Sequence, residues 1–420
     1  MSAASAPLYN KFTITKGKGE PVGFAKKVVS FEYFESLYSP TVTANIAILE
    51  AGNSTKEKLN LSGNEKVEFI VEHSSGTLKF DRKNALRVNG APTVLRESNR
   101  ESVLLPLVSN YEIQNKGTPV FDKYANLSIM ESAAKILEKK LNVPKSDINK
   151  WKGSSQLEKT RNTYDFIGKG KSAFEIITKL ARKSLPVKGD PGFFFYETQD
   201  GFNYRSVTSL IKQEVKETYT YSGGLKANLN NDANDYKILT QPTFVKDQNV
   251  TKALESGTYV SRNVFFNPYN HEYIERIYKI DEKGVTETCG TDFKLDPELK
   301  DKSFVKTNFH VLDIGSLQVG ISTDINNTPS AWAAKSTMRY NLLHSQVMTI
   351  QVPCNLNLRA GDTIKCQIET ISTDKVNNAF DTQQSGKYLI LHLCHHFDSS
   401  SAYTSLTLVR DTYGLHTGKK

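Results

Sequence analysis

Cysteine is scarce: Cys289, Cys354, Cys366 and Cys394 are the 4 in 420 residues, and no two stand in a C-x-x-C spacing. Reduced structural thiols are therefore the expectation, ahead of a disulfide framework or a cysteine metal cluster. No apolar run reaches the roughly 20 residues that a membrane-spanning helix needs, so stable membrane insertion is not expected. The opening MSAASAPLYNKFTITKGKG has no apolar core before a cleavage site, which argues against a secretory signal. G-x-S-x-G, H-E-x-x-H, a Walker loop and a Gly-rich dinucleotide loop are all missing. Glu35, Glu197, Asp200 and Asp411 have no spacing that sets two carboxylates around a substrate, and Cys354 and Cys394 lie in strand-like runs that suit a reactive thiol poorly. The chain is expected not to be an enzyme, with no catalytic residue and no cofactor.

What is present is 38% hydrophobic residues, 24% charged residues and a formal charge of +9. That composition fits a folded chain of more than one domain. The basic residues are dispersed and are not interleaved with aromatics, so sequence-specific nucleic-acid recognition is not expected; a basic wall beside passing DNA, or an acidic protein partner, is compatible with the charge.

The most patterned stretch is residues 345–414. Alternating runs at 347–352, 363–368, 388–395 and 404–409 are separated by Ala360-Gly361-Asp362, by Ser385-Gly386 and by a Ser/Asp cluster, as successive antiparallel strands of a small barrel would be. Runs at 27–33, 41–49, 63–72, 77–80 and 103–107 predict a first β-rich domain over residues 28–110. The cadence of GNEKVEFIVE from Gly63 repeats in GDTIKCQIE from Gly361, a short hint of duplication.

Between these regions the period changes. Ile129, Ala133, Ile136, Leu137 and Leu141 predict a helix ending before Pro144, and Phe174, Ile176, Ile177, Leu180 and Ala181 predict another. Trp151 is a candidate anchor between elements. Phe193-Phe194-Phe195-Tyr196 and Phe202-Asn203-Tyr204-Arg205 flank Asp200-Gly201 and predict a hairpin. Alternation puts Phe193 and Phe195 on one face and Phe194 and Tyr196 on the other. The second helix is expected to cover one face, and a domain or subunit boundary the other. Residues 211–221 read as a strand, 250–255 as a short helix, 263–279 as strand-like, 285–308 as polar with a turn or exposed loop at 297–303, and 331–344 as a helix.

His392-Leu393-Cys394-His395-His396 is the sharpest candidate metal site. On a strand His392, Cys394 and His396 share a face, but same-face neighbours stand almost ~7 Å apart, too far for all three to reach one ion without a bend. A structural role in the barrel wall is the preferred reading. Arg410-Asp411 reads as a salt bridge or solvent-facing strand end, or as an inter-domain or inter-subunit clamp; Arg205 leaves the same choice open.

Gly361-Asp362-x-Ile364, Gly386-Lys387-Tyr388-Leu389-Ile390, His395-His396-Phe397 and Tyr403-x-x-x-Leu406-x-Leu408-Val409-Arg410-Asp411-x-x-Gly414 resemble the end of the central baseplate hub protein of contractile-tailed phages. FFFYETQDGFNYRSVTSLI after a helix is similar to that family's α/β insertion. Cys354 departs from the pattern, which has glycine after the proline. The resemblance implies a mainly β chain with α+β insertions, containing two similar antiparallel β-barrel domains and a helix-containing insertion region. Its parts would be an N-terminal arm (1–27), a first tube-like barrel (28–110), an α/β insertion domain with the aromatic hairpin (111–204), a second barrel composed of 205–221 and 331–420, and a further inserted α/β region (222–330). The implied function is a structural hub subunit that forms a homotrimeric, pseudo-six-fold ring joining a trimeric central spike to the tail tube or its initiator. Wedge and tape-measure proteins are further candidate partners. The implied location is the virion baseplate, after assembly in the host cytoplasm. The alternative reading, motivated by 19 Tyr and 21 Phe, is a non-enzymatic carbohydrate- or peptide-binding β-domain protein.

Overall fold

A computed structural model describes residues 6–50, 61–90, 93–97, 100–222, 236–246, 249–280, 287–290, 306–315, 317, 325–369 and 380–412. The first barrel is built from β1 (Leu8–Thr15), β2 (Val22–Gly23), β3 (Val28–Ser36), β4 (Thr43–Glu50), β5 (Lys66–His73), β6 (Gly76–Phe80), β7 (Leu86–Val88), β8 (Thr93–Glu97) and β9 (Arg100–Val108). Its path runs β3-β4-β9-β7-β5-β1, antiparallel throughout. Alternation sends Phe31 and Tyr33 of β3, Ile46 and Ile48 of β4 and Phe69 of β5 inward, where all are buried. Phe31 stands 4.8 Å from Phe69 and 5.5 Å from Phe12, so β1 and β3 face each other across the aromatic core.

That last contact corrects the expected N-terminal arm. Residues 8–15 form a wall strand paired with β5, and Phe12 and Ile14 are buried in the barrel core. The intervening Asn10, Lys11 and Thr13 disguise a two-residue apolar alternation, and Lys11 is satisfied at the surface by Glu68.

The insertion follows as α1 (Asn110–Gly117), β10 (Lys123–Tyr124), α2 (Ile129–Lys140), α3 (Lys145–Gly153), β11 (Phe166–Ile167), α4 (Ala173–Lys183), β12 (Phe193–Thr198), β13 (Gly201–Ser206) and α5 (Val207–Lys212). Ser128 and Glu131 form a reciprocal capping box at the start of α2, and Ser172 caps α4 through the Glu175 N–H. The strand expected over 211–221 is shorter: Ser206 caps α5 instead, which buries Val207, Leu210 and Ile211, and only residues 218–221 are extended.

The remaining elements are β14 (Thr218–Tyr221), β15 (Thr243–Lys246), α6 (Val250–Glu255), β16 (Val260–Phe266), β17 (Tyr273–Lys279), β18 (Thr307–Val311), α7 (Ala333–Leu343), β19 (Gln346–Pro353), β20 (Thr363–Ile368), β21 (Gly386–Asp398) and β22 (Ala402–Arg410). The second barrel has the order β15-β19-β22-β21-β20-β14. Residues 218–221, after the hairpin, join it, with β14 lying parallel to β20. The region expected as a separate insertion, 222–330, also contributes: β15 pairs with β19, and Ile238 and Leu239 bridge Thr220 and Gln351 through backbone bonds of 2.9 and 2.7 Å. β17, β16 and β18 form a small sheet of their own, and the turn or exposed loop expected at 297–303 lies outside the described residues.

The two barrels share one sheet. β21 pairs with β20 and β22 in the second barrel, then continues antiparallel to β3 of the first, from His392 opposite Ser36 to Asp398 opposite Ser30.

Candidate functional site

The aromatic hairpin is where both barrels and the insertion meet. In β12 every residue is buried. Phe193 and Phe195 face the insertion core with Phe174, Ile177 and Leu180 of α4. Phe194 and Tyr196 face the opposite way, into a cluster with Leu210 of α5 and Val347, Leu389 and Val409 of the second barrel. The hairpin tip is tied down by Trp151, whose Nε1–H donates to the Asp200 carbonyl at 3.2 Å. Gly361 sits under Tyr196 with φ +88°, and a Cβ there would come within 2.3 Å of the tyrosine Oη. The Gly-Asp turn of the second barrel therefore serves twice, as a left-handed corner and as the seat for an insertion side chain.

Two buried glutamates hold the same junction from opposite sides. Glu35 of β3 accepts from the Tyr33 hydroxyl at 2.9 Å, from the Gln199 N–H of the hairpin at 2.8 Å and from the Ala360 N–H of the second barrel at 2.9 Å. Glu197 of β12 reaches back to the first barrel, accepting from the Val42 N–H at 3.1 Å and the Ser109 hydroxyl at 3.0 Å. Burial raises the Glu35 carboxyl to about 7, against the opposing pull of Arg359 and of its N–H donors. Burial likewise raises Glu197 to about 8. Arg359 completes the junction, with Nε 2.8 Å from Asp200 Oδ2 and Nη1 on the Leu356 and Leu358 carbonyls.

Two carboxyls poised near neutrality have pKa values suited to acid–base chemistry. Their surroundings give them other work: they are 2% and 6% exposed, and all four oxygens accept from the protein itself. Glu197 also borders a cavity of about 220 Å³ shared with Asp147, Lys150 and Asp200.

The other sequence candidates fall into place nearby. His392 Nδ1 lies 2.8 Å from Ser36 Oγ, His395 Nδ1 2.9 Å from Thr404 Oγ1, and His396 Nδ1 3.1 Å from Glu32 Oε1. Each ring has its own partner along the β21 seam, and burial pushes His395 down to about 3. Among the described residues no three His, Cys, Asp or Glu side chains are grouped to hold a metal. Burial pushes the Cys354 and Cys394 thiols up to about 12, which keeps both protonated.

Arg410 and Asp411 are neither a pair with each other nor a solvent-facing end. Arg410 is fully buried, with Nε 2.7 Å from Gln346 Oε1, Nη1 3.0 Å from the Ser385 carbonyl and its guanidinium 4.6 Å above the Tyr388 ring. Asp411 takes Arg339 of α7 as its partner at 2.6 Å and accepts the Cys289 N–H at 2.8 Å, clamping three segments of one chain. Arg205 bonds Gln213 at 2.8 Å and the Ser209 carbonyl at 3.1 Å, bracing the hairpin against α5.

The glutamate clasp was not singled out by sequence reasoning, although its signal exists. Phe31, Tyr33 and Glu35 alternate on the inward face of one strand, and an acid in that register demands partners from a neighbouring unit. Nothing comparable marks Arg339, whose partner lies 72 residues away.

No protein-family model matches the sequence, and no curated protein matches it either. Solved structures do. A tail protein from Neisseria meningitidis MC58 aligns over 97% of this chain and 97% of its own, at 10% identity and a TM-score of 0.56. The 43 kDa tail protein of prophage MuSo2 from Shewanella oneidensis aligns over 96% and 98%, at 8% identity and a TM-score of 0.52. An Escherichia coli type VI secretion component, described as structurally similar to T4 bacteriophage tail proteins gp27 and gp5, aligns over 97% and 80% at 13% identity and 0.42. The chain has the fold of phage tail proteins along nearly its whole length, mainly β with two barrels and α/β insertions, as the hub resemblance implied.

Proposed function

We propose that this chain is the structural hub subunit of a contractile phage tail, three copies of which form a ring carrying six similar barrels. The observation that supports this most is the fusion of two barrels into one continuous sheet, with the insertion clasped to both, in a chain whose full-length fold is that of tail proteins. A rigid two-barrel subunit gives a three-fold ring six near-equivalent positions, which lets it join a trimeric spike on one side to a six-fold tube, or its initiator, on the other. Wedge and tape-measure proteins are the further partners of such a ring. The ring would reside in the virion baseplate after assembly in the host cytoplasm. The formal charge of +9 suits a wall beside passing DNA without base recognition. The work is interfacial, and the buried acids serve as structural clasps.

The test is mass photometry of the chain alone and with the spike protein encoded beside it, followed by cryo-electron microscopy of the complex. A ring of three 47.0 kDa subunits seated on the spike is the expected result. A chain that remains monomeric with spike and tube proteins, and is missing from purified tails, would sink the reading.

A further inference from the structure

A second concave feature lies away from the clasp, on the outer side of the insertion. It is a cleft of about 720 Å³ between residues 164–171, helix α4, residues 310–315 and 317, and the start of α7. Its apolar lining comes from Phe166, Ile176, Leu180 and Trp332, and its cationic side from Lys169, Lys179, Arg182 and Lys183. Lys183 is held by rings rather than by a carboxylate: its Nζ sits 3.8 Å above Tyr164 and 6.0 Å from the Trp332 ring. Two acids also line the cleft. Asp313 accepts the Tyr164 hydroxyl at 3.0 Å. Asp165 is only 8% exposed; its Oδ1 accepts the Asn126 N–H at 3.0 Å, while its buried Oδ2 has no hydrogen-bond partner among the described residues.

We infer that this cleft is a docking site for an extended acidic peptide segment of a partner protein, anchored by an apolar side chain between α4 and Trp332. Both demands meet in such a peptide: carboxylates for Lys169, Arg182 and Lys183, and an apolar side chain for the lining. A nucleic-acid strand would meet the cations but brings no aliphatic side chain to Ile176 and Leu180. Because the cleft lies apart from the clasp, docking here stands independently of the ring.

The probe is a fluorescein-labelled Glu-Glu-Leu-Phe-Glu-Glu peptide, titrated against the full chain by anisotropy and by Trp332 emission. Lys-Lys-Leu-Phe-Lys-Lys, Glu-Glu-Gly-Ser-Glu-Glu and labelled oligothymidine are the controls. Saturable binding of the first peptide alone is expected. It should weaken about fivefold or more in a Lys169→Glu variant, whose exposed position leaves the melting temperature unchanged. Trp332→Phe should remove the emission change while anisotropy still reports binding. Absence of saturable binding, equal binding of the basic peptide or of oligothymidine, or indifference to the charge reversal would each overturn the proposal.

Discussion

The two barrels reach similar walls by different routes. The first draws its own strands from one stretch, residues 8–108, all paired antiparallel. The second is gathered from residues 218–221, 243–246 and 346–410, and one of its pairs, β14 with β20, is parallel. Yet both contain the same corner. Before β5, Glu65 accepts the Ser62 N–H at 2.8 Å across Gly63; before β20, Asp362 accepts the Arg359 N–H at 2.8 Å across Gly361. An acid bonding the amide three residues back, with a left-handed glycine between, is the physical content of the repeated Gly-acid cadence. The first barrel takes Cys354, Leu356, Phe397 and Ala402 of the second into its core, whereas the composite one leans on the insertion that interrupts it.

The largest effects that probe this difference come from the hairpin. Phe194→Ala and Phe195→Ala should each destabilise the chain by about 3–5 kcal/mol, since both remove a buried ring. Hydrogen exchange should separate them: Phe194→Ala loosens amides around Leu389 in the composite barrel, and Phe195→Ala loosens those of α2 and α4. Identical exchange patterns would mean that the hairpin does not divide two cores.

The shared corner permits a matched pair of substitutions. Gly63→Ala carries only the left-handed backbone penalty, about 1–2 kcal/mol, because a Cβ there would meet the Gly90 backbone no closer than 3.5 Å. Gly361→Ala adds the collision with Tyr196 and should cost about 1–3 kcal/mol more. Equal losses in denaturant melts would show that the insertion is not seated on the composite barrel.

A smaller effect concerns pH. An acid whose folded pKa is raised binds its proton more tightly in the folded state, so its stabilising contribution is complete below the unfolded value and fades as pH rises through the folded one. Glu35 and Glu197 should make stability fall from about pH 4.5 up to about pH 7 and 8 respectively, by up to about 1.4 kcal/mol per pH unit for each group, and the stretch above about pH 6.5 is the window to measure. His395, held neutral by burial, acts in the opposite direction, but only below about pH 6.5, and so leaves this window clear. Glu197→Gln keeps an acceptor for Val42 and offers a donor to Ser109, and should flatten the slope. Lys188→Ala, on the exposed surface, should stay within about 0.5 kcal/mol of the parent in the same melts.

Much of this architecture was legible in the residues. Strand alternation gave the walls of both barrels, and periodic Ile129 to Leu141 gave α2. Alternating Phe193 to Tyr196 predicted two packing faces, and the structure fills both. What escaped was decided at long range. β1 was hidden because two inward residues among polar ones look like an arm until a partner strand is known. The strand read from residue 211 began too early because Ile211 and Lys212 belong to the end of α5, whose short run of Val207, Leu210 and Ile211 shows little period of its own. The clasp depended on which backbone amides would stand opposite Glu35 and Glu197, and that is set by the meeting of residues separated by up to 325 positions.

β21 has a mechanical consequence. It begins in one barrel and ends in the other, so a load applied to either passes along covalent backbone before it meets any noncovalent contact. Sliding the barrels past each other would shear the whole ladder from His392–Ser36 to Asp398–Ser30 together, instead of peeling one bond at a time. The shared ladder therefore resists sliding of one barrel along the other, because its backbone bonds must yield as a set.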